Sequence, residues 1–412
     1  MANLWLRNDR QGSMTVSINE KLSFEEVSDP EIIRYTHSKN AATWKGLLTV
    51  DEYCERERLL GSSDIANKGE SVEMRKKFPV GHELFGLKYF VLKNTELEAT
   101  SATSQIVASC EALCRLGYAI HPDSRGKIVP ILTACIGGVF TSPEHRGNGY
   151  AREMIHSLNK HFDRLSEAPD APDFVKNMVI NLYSEVGEYY AENGYHSLHV
   201  PVHVITEPDL LLDRYCNTLP EGKCRYLGFD DYRDLVALQE KQFESRLLNL
   251  HKESPKKFIF TVAADIDIYK WFQVRDLFLM DMTKRHQDNL KFGVALEDNN
   301  HIIWHHNWND NSLVIVKIFM NDDQGSTDRE QTLRRLISHA IDEIKICKLQ
   351  SLVFWDEEIP IKSFPNLYAA LNEMEQACKL YVKNGSLSAA RPPKGFTIEN
   401  VAWDNNTKFC WF

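Results

Sequence analysis

The sequence predicts a mixed α/β protein, with largely antiparallel sheets flanked by helices, built as two similar units in tandem. Three observations carry that expectation. A chain of 412 residues is long for one core and comfortable for two. Its apolar pattern switches repeatedly between helical spacing and short extended runs. The order of three strands, a helix and a strand occurs once in each half, as a repeat whose sequence has diverged.

Residues 15–21 read as a short strand or lead-in, and "SFEEVSDPEIIRYTHSKNAATW" gives a strand followed by a helix. Asp29 suits the helix N-cap because its carboxylate accepts a free amide, and Pro30 suits the first turn because it has no amide to satisfy. A second helix follows in "TVDEYCERERLLGSSD", and "GESVEMRKKF" is a loop or a short helix. "KYFVLKN", "QIVASCEALCRLGYAI" and "IVPILTACIGGVF" are strands of an antiparallel meander, the last two joined by "HPDSRGK". Adjacent Gly137 and Gly138 weaken a strand, so they point to a bulge or to close approach of another backbone or a ligand. Ala151, Met154, Ile155, Leu158, Phe162 and Leu165 then define one face of a helix. "FVKNMVINLYSEV" supplies a buried strand, "GEYYAENGY" a short helix closed by Gly194, and "SLHVPVHVI" one further strand.

Strand period fades in "EPDLLLDRYCNTLPEG", which places a first unit over 15–205, a linker over 206–230 and a second unit over 231–412. The second unit opens with helical stretches, within which "KKFIFTVAADIDIYKWF" fits strand or helix equally. "FGVALED", "NHIIWHHNW" and "SLVIVKIF" are strands, "QTLRRLISHAIDEIKICK" is a long amphipathic helix, and "SLVFWDE" is a strand.

With 58 acidic against 48 basic side chains the net charge is −10, which argues against a nucleic-acid surface and leaves a small cation or basic peptide open. The nine cysteines form no CxxC, and several lie in apolar runs where a thiol acts as a small hydrophobe; a reducing, intracellular setting without a disulfide frame or zinc ribbon is expected. His301, His305 and His306 are the one cluster that invites a metal. They lie in a strand-like segment without a matching carboxylate or thiol pattern, so exposed strand histidines and no metal are expected. "MANLWLRNDRQGS" has no apolar run of signal-peptide length and no window approaches a membrane span, which gives a cytoplasmic address and no membrane partner as the expectation.

The stretch "GVFTSPEHRGNGYAREMIHSL" carries the chemistry. A strand ends in Val139 and Phe140, breaks at Pro143, and passes through Arg146, Gly147, Asn148 and Gly149 into a helix starting near Tyr150. Unpaired amides at a helix N-terminus favour anions, glycine lets a ligand come close, and Arg146 adds a forked charge, so the turn can cradle a pyrophosphate. The alternative is a plain helix entry with Gly149 as an adaptable cap. The spacing is not Walker A, because no Gly-Lys-Ser/Thr follows, and it lacks the third glycine and first βα unit of a dinucleotide site.

What the turn does match is the acyl-CoA turn of the GNAT N-acetyltransferases, where Arg/Gln-x-x-Gly-x-Gly/Ala joins the fourth strand to the third helix; Arg146, Gly149 and Ala151 occupy it here. The resemblance extends to the Gly137–Gly138 bulge and to "EYYAENGY", which places Tyr190 before Gly194 and Tyr195. It implies a GNAT acyltransferase fold followed by a second, degenerate GNAT-like domain. It also implies acetyl-CoA as co-substrate, with the main chain of Val139, Phe140 and Thr141 pairing with the pantetheine arm and Arg146, Gly147, Asn148, Gly149, Tyr150 and Ala151 holding the pyrophosphate. Tyr190 would protonate the departing thiolate. The general base is open: Glu111 and Glu185 are candidates, either of which could be an ordinary carboxylate, and the aromatic ending "KFCWF" raises the possibility that the terminal carboxylate at Phe412 enters the site. Where the first unit has "SPEHRGNGYA", the second has the acidic "NDDQGSTDREQ", which should repel phosphates, so one working site per chain is expected.

Tandem organisation over this length is similar to the fungal LYC1-like group, which includes lysine N6-acetyltransferases. That similarity implies a small-molecule amine acceptor, with the side-chain amine of free lysine first. A polyamine or protein amine, or a non-catalytic CoA-binding interaction protein, are the alternatives.

Overall fold

The computed structural model describes residues 16–19, 21–217, 222–285, 287–321 and 326–412. Among them the strands form two mixed sheets. The first runs, in spatial order, Val16–Asn19, Leu22–Val27, Gly86–Asn94, Ile106–Ile120, Val129–Thr141, Val179–Ser184, Leu387–Arg391 and His196–Ser197, with Phe258–Val262 joining Ile106–Ile120 and Val401–Trp403. The second runs Cys378–Val382, Val202–Ile205, Ser351–Trp355, Ser312–Phe319, His301–Asn307, Gly293–Leu296 and Cys224–Tyr226. Each sheet is antiparallel through its meander and turns parallel across a long helix, Val129–Thr141 with Val179–Ser184 and Ser312–Phe319 with Ser351–Trp355, and the first sheet has a second parallel pair in Phe258–Val262 with Val401–Trp403.

The expected elements form for the expected reasons. Asp29 caps the Pro30–Trp44 helix, its Oδ1 accepting from the Glu31 amide at 2.8 Å and the Ile32 amide at 3.4 Å. The Tyr150–Glu167 helix buries Met154, Ile155, Leu158 and Phe162 against the first sheet. "GESVEMRKKF" contains the short helix Val72–Lys77, and the ambiguous "KKFIFTVAADIDIYKWF" divides into the strand Phe258–Val262 and the helix Ile266–Met282, which Asp265 caps.

Two expectations are corrected. "SLHVPVHVI" is not one strand: His196–Ser197 stays in the first sheet, while Val202–Ile205, beyond Pro201, pairs in the second sheet with Ser351–Trp355. Proline cannot donate to a ladder, and here it marks the point where the chain changes sheets. The second half returns the exchange by inserting Leu387–Arg391 beside Val179–Ser184, so each sheet contains strands from the other half of the sequence. Second, His301, His305 and His306 are buried rather than exposed, at 0%, 4% and 0% exposure, because their strand is internal to the sheet and the helices Ile266–Met282 and Ser326–Cys347 pack against it.

The nine cysteines are free, and all but Cys224 are buried. Among the described residues no helix is long and apolar enough to cross a membrane. The "NDDQGSTDREQ" turn lies partly outside the described residues, at 322–325.

Candidate acyl-transfer site

The site begins with a defect in one strand. Ser109 pairs with Phe140 and Glu111 pairs with Gly137, so Gly138 and Val139 together face Cys110 alone, a one-residue bulge. Gly138 sits at φ +58°, which a β-branched residue adopts only with strain. Before the bulge, Val129–Thr141 pairs with Val179–Ser184 as far as Ile136 and Leu182; past it, the strands part. One edge of Gly137–Thr141 is therefore left without a strand partner, and an extended ligand with amide groups can use such an edge as an added strand would.

That edge leads to "SPEHRGNGYA". Gly147 and Gly149 lie at φ +83° and +77°, and a β-carbon at either would meet nothing within 4 Å. Gly149 caps the Tyr150–Glu167 helix without a side-chain hydrogen bond. Among the described residues the amides of Gly147, Asn148 and Gly149 have no protein acceptor. Arg146 is exposed, donates from Nε to the Thr141 carbonyl at 3.1 Å and lies over the Phe140 ring. Asn148 donates to the His145 carbonyl at 3.0 Å, and the Tyr150 hydroxyl accepts from Asn94 at 2.9 Å. The turn is thus held in shape by its side chains while its amides stay open.

The splay opens into a cavity of about 730 Å³ lined from both halves of the chain, including Gly138, Val139, Glu111, Tyr190, Arg275 and Phe412. Glu111 and Tyr190 line it together. Oε1 of Glu111 is 2.9 Å from Nε2 of His37, and the Glu111 carboxyl carbon would lie 3.5 Å from a β-carbon at Gly138. Burial pulls the His37 imidazole down, but the hydrogen bond and charge of Glu111 outweigh it and leave it raised. Tyr190 leans on Tyr189 and Tyr195, and burial pushes its phenol well up from the ordinary range. Glu185 accepts from Trp44 Nε1 at 3.0 Å at the cavity rim.

The chain terminus is packed into the same space. Trp411 stacks on Tyr183 at 5.3 Å, the Phe409 carbonyl accepts from Arg115 at 2.7 Å, and the Phe412 ring covers Gly137 so closely that a β-carbon there would sit 2.7 Å from Cζ.

Several residues that line the cavity or back its wall escaped the sequence reading. The inward face of the Pro30–Trp44 helix buries Thr36, His37 and Asn40 beside Ile32 and Ala41, and polar groups on a face that should be apolar are a signal available in sequence. Trp271, Arg275 and Lys408 gave none, since only the tertiary fold brings the Ile266–Met282 helix and the C-terminal tail to the first sheet. The expectation that the histidines lack acidic or thiol neighbours is also corrected. His306 Nε2 lies 3.0 Å from Glu343 Oε1, and Cys347 Sγ lies 3.3 Å from the same oxygen, three buried groups that could hold a metal and that hydrogen-bond to one another. Glu343 and Cys347 come from one helix face, four positions apart, far along the chain.

The chain resembles known proteins along nearly its whole length. A family model described as the LYC1 GNAT-like C-terminal domain matches residues 216–412. A relative from Saccharomyces cerevisiae, the uncharacterized protein YGR111W, is 55% identical over 401 residues, covering 97% of this chain and 100% of that one. A Yarrowia lipolytica protein named lysine acetyltransferase is 24% identical over 375 residues, covering 82% and 85%. Among solved structures, a conserved protein of Enterococcus faecalis named as a probable N-acyltransferase superposes with a TM-score of 0.51 at 12% identity, covering 90% of this chain and 73% of that one. The fold is that of the GNAT acyltransferases. With the family model and the full-length relatives, the chain belongs to the LYC1-like group of GNAT N-acetyltransferases.

Proposed function

We propose that the protein transfers the acetyl group of acetyl-CoA to the side-chain amine of free L-lysine by direct attack in a ternary complex. The observation that carries this reading is the bulged, splayed strand Gly137–Thr141, whose open edge joins a turn of free amides to a cavity lined by Glu111 and Tyr190. The main chain of Val139, Phe140 and Thr141 would pair with the pantetheine arm, and the amides and arginine of Arg146–Ala151 would hold the pyrophosphate.

The amine nitrogen attacks the thioester carbonyl carbon, the C–S bond breaks, and the products are an amide and a thiol. Three proton movements accompany this: one leaves the ammonium before attack, the sulfur gains one as the C–S bond breaks, and the nitrogen's second leaves as the amide forms, through solvent, to restore the phenol. Glu111 takes the ammonium proton on Oε2, since His37 occupies Oε1. Tyr190 delivers one to the leaving sulfur; its raised phenol is protonated at working pH, and among the described residues its hydroxyl has no protein hydrogen-bond partner. The lysine acceptor is supported by the named activity of the Yarrowia relative.

Thiol release from acetyl-CoA, followed across lysine, other amino acids, polyamines and peptides, tests the reading. Lysine should give the highest kcat/KM, and Tyr190→Phe should lower kcat by about tenfold or more with KM little changed. A thermal shift with acetyl-CoA but no thiol release with any amine would make the protein a CoA-binding module instead.

A further inference from the structure

We infer that Arg275 and Lys408, contributed by the Ile266–Met282 helix and the C-terminal tail, bind the carboxylate of the acceptor and so make the enzyme select amino acids over polyamines. The inference rests on the acetyltransferase reading above.

The charges lining the cavity support it. Glu57 is taken by Arg56, Glu111 by His37, and Glu185 by the Trp44 indole. Asp310 accepts from Asn307 at 2.8 Å. Asp276 accepts from the His306 amide at 2.5 Å and faces His305 Nδ1 at 3.6 Å. Each acid thus has a partner, and so does Arg56. Arg275 and Lys408 do not: among the described residues neither makes an ion pair or a side-chain hydrogen bond, the terminal carboxylate included. Both instead contact aromatic rings. Lys408 Nζ lies 3.7 Å from the Trp411 centroid and 5.5 Å from that of Phe272, and the Arg275 guanidinium lies 5.0 Å from Phe272.

Lys408 is only 8% exposed. A buried cation without an anion is costly, and such a group persists where function supplies its counter-charge. Burial, reinforced by Arg275, pushes the Lys408 ammonium well down from its ordinary range, a direction that an incoming anion would reverse. That anion is not a phosphate of acetyl-CoA, because the free amides that suit a pyrophosphate lie in the Arg146–Ala151 turn, outside the cavity lining. It belongs to the acceptor. An amino acid brings one carboxylate with its amine, whereas a polyamine would add positive charge beside two cations that already repel each other.

The test is binding of lysine, 6-aminohexanoate and cadaverine, measured by calorimetry with CoA present, in the native protein and in the Arg275→Met and Lys408→Met variants. Lysine and 6-aminohexanoate should bind the native protein at least about tenfold more tightly than cadaverine. Each variant should weaken lysine by about tenfold or more and erase its advantage over cadaverine, while acetyl-CoA binding stays unchanged. Cadaverine binding as tightly as lysine, failure of all three to bind, or a lysine-to-cadaverine ratio untouched in both variants would overturn the assignment. The native comparison holds even if a variant folds poorly. If no amine releases thiol from acetyl-CoA, the transferase reading fails, while the binding ratios still decide the carboxylate clamp.

Discussion

Val129–Thr141 and Ser312–Phe319 carry the same construction. Each pairs in parallel with the strand after its crossover helix, each gains one extra residue against its antiparallel neighbour, and each then parts from the parallel strand. In the second sheet the extra residue is Val316, since Ile303 pairs with Lys317 and Trp304 with Ile315. The two splays are used differently. In the first, glycines open the bulge and the freed edge faces a cavity. In the second, Glu358 fills the gap: its Oε1 accepts from the Ile318 amide at 2.5 Å, and its two oxygens accept from Lys317 at 2.9 and 3.1 Å. Asn405 of the C-terminal tail accepts from Lys317 as well, at 3.2 Å, before the tail continues to Trp411 and Phe412 in the first cavity. The difference teaches that a splayed strand is a vacancy in hydrogen bonding, which a ligand or an internal carboxylate can satisfy. Here one copy keeps the vacancy, and the other is closed by a buried ion pair from which the tail reaches across to the first.

The sharpest way to break this contrast is to unplug the second splay. Glu358→Ala would leave Lys317, 4% exposed, without its carboxylate and the Ile318 amide without an acceptor. Loss of one partner of a buried pair costs about 3–5 kcal/mol. Denaturant melts should show that loss, and Lys317→Met in the same chain should recover much of it. A loss below about 1 kcal/mol would mean the plug does not hold the second sheet.

The matching change in the first half should weaken ligand binding and leave stability alone. Arg146 is exposed, and among the described residues its one side-chain hydrogen bond goes to the Thr141 carbonyl. Arg146→Ala should therefore weaken acetyl-CoA binding by about tenfold to a hundredfold while changing stability by no more than about 0.5 kcal/mol. Equal melting with equal acetyl-CoA affinity would remove Arg146 from the site.

How much of this contrast could be read from sequence depends on the range of the interactions. Gly137–Gly138 and "HRGNGYA" are local signals, because positive φ and a helix N-terminus are set by neighbouring residues. The repeat of strands and helices was legible for the same reason. The strand exchange was not: Val202–Ile205 has the same alternation whichever sheet accepts it, and pairing partners leave no mark on local period. Burial of His301, His305 and His306 was missed because alternation cannot tell a strand covered on both faces from one half-exposed. Nor did anything in "DEEIP" announce that Glu358 would close a splay, since that depends on a strand about forty residues earlier.

Protonation sharpens the comparison on the plugged side. Burial, then the charge of Asp404, pushes the Glu357 carboxyl up from 4.5 to about 7, against the pull of Arg246. The folded state then keeps a proton that the unfolded chain has already lost between about pH 4.5 and 7, so stability falls as pH rises through that window. With the side chain 27% exposed, the fall should be on the order of 1–2 kcal/mol. Glu357→Gln should flatten that part of the pH–stability curve, and an unchanged curve would exclude Glu357 as its source.

A small change at Gly137 tests the tail that connects the two regions. A β-carbon at Gly137 would fall 2.7 Å from Phe412 Cζ, so Gly137→Ala forces the ring to move. The atom displaced is the far end of a terminal side chain, so the stability cost should stay near or below about 1 kcal/mol. Turnover should fall more, because the ring covers the start of the open edge. Phe412→Ala removes the clash, and in the double variant the alanine at 137 should cost almost nothing beyond the loss of the ring. Measuring thiol release and melting for the two single variants and the double gives the coupling directly. Strict additivity in both measurements would show that Phe412 does not act through Gly137, whereas coupling in turnover alone would tie the end of the chain to the open splay and not to the stability of the fold.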